Sequence, residues 1–130
     1  MSIAQESAAV AAALAHCEAW SNHDWDKARS MLATDIKITA TTTRPVMPDT
    51  NLTGADAYME GLKQFAGAVV PGSLQVNGKT GDEHNALLMV TVQARFGPGG
   101  APVPLPGARL YLFDNEGNIK VEQVVFFVAA

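Results

Sequence analysis

Residues 105–128 read LPGARLYLFDNEGNIKVEQVVFFV. Both sides of Asp114-Asn115-Glu116-Gly117 are read at strand period, and three turn formers followed by a glycine suit a type I turn closed at positive φ. The reading is a β-hairpin, Leu105 to Phe113 and Asn118 to Val128. If Phe113 and Asn118 are the last pair, counting outwards sets Arg109 opposite Glu122, on the face that also carries Tyr111. The other face then carries Leu110, Leu112, Val121, Val125 and Phe127. One side of the hairpin thus holds a charged pair and the other is mainly apolar.

The same period extends upstream. Ala86 to Phe96 alternates Ala86, Leu88, Val90, Val92, Ala94 and Phe96 with a more polar set, and Gly97-Pro98-Gly99-Gly100 turns the chain towards the hairpin. Ser73 to Lys79 is a further strand, and Asp35 to Thr43, rich in Ile and Thr, is another. Pro45 and Pro48 then break regular structure. The rest of the first half has helical spacing. Ser2 and Gln5 have the spacing of a capping box, and Val10, Ala13, Leu14, Cys17 and Trp20 continue a helix to about Ser21. A short helix from Asp24 to about Leu32 is capped by Asn22 or Asp24. A third opens at Thr53 and Asp56, aligns Tyr58, Gly61, Leu62, Phe65 and Val69, and stops at Pro71-Gly72. Helices first and strands afterwards predict an α+β domain, with helices on one face of an antiparallel sheet.

The 130 residues suit one domain, 1–130, and 48% hydrophobic against 17% charged residues is enough apolar side chain for a packed core. Nine basic and thirteen acidic residues give a net charge of −4, which supplies no basic footprint for nucleic acid or an anionic membrane. No apolar run reaches the roughly 20 residues that span a bilayer. Cys17 is the single cysteine, so no internal disulfide and no Cys/His metal cluster is expected. The alanine-rich stretch 8–15 follows Gln5 and Glu6 with no basic residue before it, unlike a signal peptide. A cytoplasmic location is the expectation, under which Asn51-Leu52-Thr53 is no glycosylation site. The run 97–100 lacks the GK[ST] ending of a phosphate loop, and neither cofactor nor metal is expected.

Several strings resemble those of the nuclear-transport-factor-2-like superfamily, which includes ketosteroid isomerases and SnoaL-like polyketide cyclases. They are Glu18-Ala19-Trp20 with Asn22-His23-Asp24, Met31-Leu32-Ala33-Thr34-Asp35, Gly54 before the third helix, and Leu112 to Ile119. The resemblance implies a cone-shaped, cystatin-like fold in which three N-terminal helices pack on a curved, mainly antiparallel sheet around a deep apolar pocket. These strings fall at caps and turns, so they speak to fold more than to reaction. Set against the ketosteroid isomerase pattern, His16 takes the place of the oxyanion-stabilising Tyr, Ala40 that of the catalytic Asp, and Arg109 that of the second pocket Asp. An alanine moves no proton, so steroid isomerisation by that mechanism is not expected.

The candidate site follows from both readings. Arg109 would hold a substrate carboxylate, enolate or phenolate, Glu122 would transfer a proton, and His16 would be a donor or base. Trp20, Tyr111, Val90, Val92, Leu88, Phe65 and Tyr58 would line the pocket. The structural alternatives are equally concrete: Arg109 and Glu122 as an ion pair that fixes register, His16 as a satisfied core histidine, and the aromatic residues as core. Three functions remain open. One is a cofactor-independent isomerase, cyclase or dehydratase acting on a small apolar carbonyl- or hydroxyl-bearing molecule; another is a non-catalytic small-ligand-binding module; the third is a dimeric interaction domain. A homodimer through the apolar outer face of the sheet is expected in each case.

Overall fold

The computed structural model describes residues 6–44, 48–95 and 99–127. The Ser2 and Gln5 capping pair, Pro45, the Phe96 to Pro98 segment and Val128 lie outside them. In chain order the elements are α1 (Ala8–Ser21), α2 (Trp25–Ser30), β1 (Leu32–Thr42), β2 (Thr50–Thr53), α3 (Ala55–Ala66), β3 (Gln75–Gly81), β4 (Asn85–Ala94), β5 (Val103–Phe113) and β6 (Ile119–Phe126). One six-stranded sheet runs β2-β1-β6-β5-β4-β3. Every neighbouring pair is antiparallel except β1 and β6, which are parallel.

Local chemistry sets most boundaries. Ser7 caps α1 by accepting a hydrogen bond from the Val10 amide at 3.2 Å, and Asp24 caps α2 by accepting from the Lys27 amide at 3.3 Å. Between these helices His23 turns the chain in the left-handed region, φ 63°. Its Nε2 donates to the carbonyls of Ala66 and Val69 at 2.8 and 3.0 Å. Carbonyls only accept, so that nitrogen carries the proton, and the turn is tied to the end of α3.

Four expectations about elements need correction. α2 stops at Ser30, and Leu32 already belongs to β1. α3 has no side-chain cap: its N-cap is Gly54 at φ 98°, and Thr53 lies in β2. α3 also ends at Ala66, before Pro71-Gly72, so Val69 sits in a bridge to Ala94 instead of on the helix. β2, which pairs Thr53 with Lys37, is short and polar and has no counterpart in the sequence reading.

The hairpin register also differs from the count. Phe113 pairs with Ile119, not Asn118, and a bulge follows, so Leu112 faces Val121, Tyr111 faces Glu122 and Arg109 faces Val124. Arg109 and Glu122 are therefore diagonal neighbours rather than directly opposite. The displacement is two residues, which preserves the face of each side chain. Alternation along β4 buries Ala86, Leu88, Val90, Val92 and Ala94 beneath the helices, and one apolar cluster joins these to α1, α3 and the inner residues of β5 and β6.

Candidate functional site

Helix α1 brings His16 and Trp20, one turn apart, to the concave face of the sheet, with Cys17 between them. Helix α3 contributes Tyr58 and, two turns later, Phe65. Strand β5 contributes Arg109 and Tyr111, and β6 contributes Glu122 and Phe126. Leu88 pairs directly with Arg109 across the β4–β5 ladder, and Val90 and Val92 follow on the same face. The residues expected to share a site do meet there.

Two contacts organise the centre. Arg109 Nη1 donates to Glu122 Oε1 at 2.8 Å, and the Tyr58 hydroxyl donates to Glu122 Oε2 at 2.5 Å. Arg109 is 4% exposed and Glu122 0%. The guanidinium carbon lies 4.5 Å from the Trp20 ring centroid, 5.7 Å from Phe65 and 5.8 Å from Phe126, an arrangement in which three ring faces stabilise the cation. Tyr111 contacts Cys17 through its hydroxyl, 3.2 Å from Sγ. His16 lies between the two tyrosines, its ring centroid 6.0 Å from Tyr58 and 5.9 Å from Tyr111.

Burial sets the electrostatics. It pushes the Glu122 carboxyl up, while Arg109 and the Tyr58 hydroxyl pull it down; the net direction is up. The guanidinium is permanent, and a buried cation with no counter-ion would cost far more than ionising the acid beside it, so the pair is ionic at neutral pH. His16 is driven the other way. Burial, aided by the Arg109 charge and only weakly opposed by the Ala28 backbone, lowers its pKa to about 3, so the imidazole is neutral. Burial likewise raises the Cys17 thiol and the Tyr58 and Tyr111 phenols, which stay protonated. Among the described residues, Nδ1 and Nε2 of His16 and Nε1 of Trp20 are buried without a well-formed hydrogen bond, although the Ala28 backbone acts on His16 and the Trp20 side chain on the Cys17 thiol. His16 is a buried core histidine whose ring nitrogens make no well-formed hydrogen bond.

The centre is closed rather than an open pocket. Two surface hollows, of about 440 and 420 Å³, lie beside the α1 N-terminus and the α3 N-terminus, and neither is lined by Arg109, Glu122 or His16. Half-buried Ile38, Ala40, Leu105 and Phe126 rim the concave face beyond Arg109. Ala40 stands beside Val124, leaving an apolar methyl at the position compared with a catalytic Asp. Arg109 cannot offer its whole fork to a carboxylate, because Nη1 is already committed to Glu122. Sequence reasoning missed Phe126 as the third ring over the guanidinium. Its parity with Glu122 was the available signal. Among the described residues, no group of three His, Cys, Asp or Glu side chains could hold a metal ion.

Solved structures with this architecture are numerous. A Kribbella flavida protein is 28% identical, with a TM-score of 0.74 over 92% of this chain and 86% of its own. A Mycobacterium tuberculosis protein crystallised with estradiol-17β-hemisuccinate is 16% identical, with a TM-score of 0.75 over 92% of this chain and 93% of its own. A Catenulispora acidiphila protein with a ketosteroid isomerase-like fold, in complex with trimethylamine, is 12% identical, with a TM-score of 0.68 over 87% and 82%. The last two likenesses speak to fold alone. No curated protein matches the chain. The SnoaL-like domain model matches residues 13–122, which takes in His16, Trp20, Tyr58, Arg109, Tyr111 and Glu122, and the chain accordingly belongs to the SnoaL-like family of the nuclear-transport-factor-2-like superfamily.

Proposed function

We propose that the chain is a cofactor-independent enzyme of isomerase, cyclase or dehydratase type, acting on a small apolar molecule that bears a carbonyl or hydroxyl. The observation that carries this reading is the buried chain Tyr58–Glu122–Arg109. A sealed ion pair is costly to keep where two apolar side chains would hold the fold as well, and a neutral imidazole, that of His16, lies in the same apolar interior, against Tyr58 and Tyr111. In this role Glu122 Oε2 exchanges a proton with the substrate once the Tyr58 hydroxyl turns from it, Arg109 opposes charge that develops nearby, and His16 donates a hydrogen bond. Trp20, Phe65, Leu88, Val90, Val92 and Tyr111 surround the apolar body. The ligands of the Mycobacterium and Catenulispora neighbours support a small organic molecule as occupant of this scaffold.

A second reading is a non-catalytic binding module. It is favoured by two particulars: both Glu122 oxygens are engaged, and the position of the family's base is Ala40. Glu122→Gln separates the two readings, because the amide keeps shape and hydrogen bonding but moves no proton. In a screen of steroid, terpenoid and aromatic polyketide ketones, an enzyme loses about 10²–10⁴ in kcat with little change in affinity. A binding module turns over no ligand in either form. Around this site the proposal places one domain over residues 1–130, in the cytoplasm, with no nucleic-acid or membrane partner, paired with a second copy through its outer sheet face.

A further inference from the structure

We propose that Asn77 is a site of spontaneous deamidation in the folded protein, because it precedes Gly78 and stands exposed and unpaired at a bulge in the edge strand β3. The inference is independent of what the interior binds.

Of the six asparagines, only Asn77 is followed by glycine; the others precede His23, Leu52, Ala86, Glu116 and Ile119. The reaction needs the backbone nitrogen of the next residue to reach the side-chain Cγ. A glycine there has no Cβ to obstruct the approach and has the widest backbone freedom. An Asn-Gly pair commonly marks a hairpin turn, yet here it lies inside β3. A regular ladder would hold both residues extended. The register instead slips between Val76, paired with Val90, and Gly78, paired with Met89, so Asn77 has no opposite residue in the β3–β4 ladder. β3 lies at the edge of the sheet and Asn77 is exposed, so water reaches it. One contact favours the chemistry. The Thr91 hydroxyl donates to Asn77 Oδ1 at 2.7 Å, which draws electron density from Cγ and stabilises the oxyanion that forms when the nitrogen attacks. The Gly78 nitrogen bonds to Cγ, the bond from Cγ to the side-chain nitrogen breaks, and ammonia leaves with the Gly78 proton. Water opens the resulting succinimide at either carbonyl, giving aspartate or isoaspartate. The chain gains one negative charge on the outer side of the sheet, where Thr91 shares the parity of Leu87 and Met89.

The test follows the native protein by intact mass and peptide mapping during incubation in mildly alkaline buffer at physiological temperature. A gain of one dalton per chain is expected at Asn77, split between aspartate and isoaspartate and faster than at any other asparagine. Gly78→Ala should slow it by about tenfold or more at a nearly unchanged melting temperature, since a Cβ there meets Met89 Cβ at an ordinary 3.9 Å and no positive φ requires glycine. Thr91→Val removes the donor and should slow the reaction severalfold. Modification led by another asparagine, or Gly78→Ala reacting at the wild-type rate, overturns the proposal. So does a native protein that stays intact while its urea-unfolded form is modified, because the folded strand would then protect Asn77. An unchanged or faster rate in Thr91→Val overturns the role given to that hydroxyl.

Discussion

Among the described residues, Arg109 and Glu122 each lack any other buried charge to answer them, and that sets what single substitutions do. Glu122→Leu leaves a guanidinium stranded among Trp20, Phe65 and Phe126, and should cost about 3–5 kcal/mol. Arg109→Met with Glu122→Leu removes both charges and should return most of that stability, which urea unfolding of the three proteins would read. Recovery in the double variant would mean that the fold does not require the pair, which strengthens a functional reason for keeping it. His16 gives a pH signature. Its folded pKa of about 3 lies below the ordinary 6.5, so between those values the unfolded chain binds a proton that the folded chain refuses. Its contribution to stability is complete above pH 6.5 and is lost as pH falls, by up to about 1.4 kcal/mol per pH unit. His16→Gln, neutral throughout, should flatten that part of the stability profile. Alternation alone could put Arg109 and Glu122 on one face of the hairpin, because parity survives small errors of count, whereas His16 and the inward direction of that face came from the resemblance. It could not show that Tyr58 closes the second Glu122 oxygen, since that contact spans 64 positions between α3 and β6.

Some element ends set by neighbours in the chain were legible, although the Ser7 cap that starts α1 at Ala8 was missed in favour of Ser2 and Gln5, and those set by distant packing were not. The Asp24 cap and the turn at Gly117, φ 83°, follow from chemistry within a few residues. The turn is held by Asp114 Oδ1, which accepts from the Glu116 and Asn118 amides at 2.9 Å. The bulge after Ile119 had no marker, because Lys120 looks like any outward strand residue; β1 and the Met31 carbonyl meet that point from across the sheet. Nor did Thr50–Thr53 declare itself as a strand, being polar and paired on one edge only. Two glycines of β3 make the contrast measurable. A Cβ on Gly81 would stand 2.3 Å from the Asn85 carbonyl oxygen and 2.8 Å from Val10 Cγ2, whereas one on Gly78 would meet Met89 Cβ at an ordinary 3.9 Å. Gly81→Ala should therefore destabilise by about 1–3 kcal/mol, and Gly78→Ala by less than about 0.5 kcal/mol. Thermal melts of the two variants side by side check this, and equal losses would show that β3 yields at its end.

At the scale of the whole molecule, α1 and α3 cover the concave side of the sheet, and among the described residues no helix covers the other. That outer side presents Leu87 and Met89, 41% and 45% exposed, with half-buried Leu110, Leu112, Val121 and Val125 and exposed Phe127. Leu87 pairs with Leu110 and Leu112 with Val121 across adjacent strands, so the apolar residues form one continuous surface over β4, β5 and β6. A patch of this kind on a lone chain costs hydration free energy. A second copy is a fitting cover because the patch carries no charge at its centre, and two identical faces related by a two-fold axis would bring no like charges together. Leu87→Asp and Phe127→Asp alter side chains that the single chain leaves exposed, so its internal packing is expected to survive. Each should convert a dimer to a monomer, because an aspartate inside a two-fold interface meets its own copy nearby as well as apolar groups. Sedimentation of the unmutated protein at roughly 50 µM, where an interface burying about 800 Å² per partner normally holds, is expected to give the dimer. A monomer at that concentration sinks the pairing, and unchanged sedimentation of both variants moves the interface to another face.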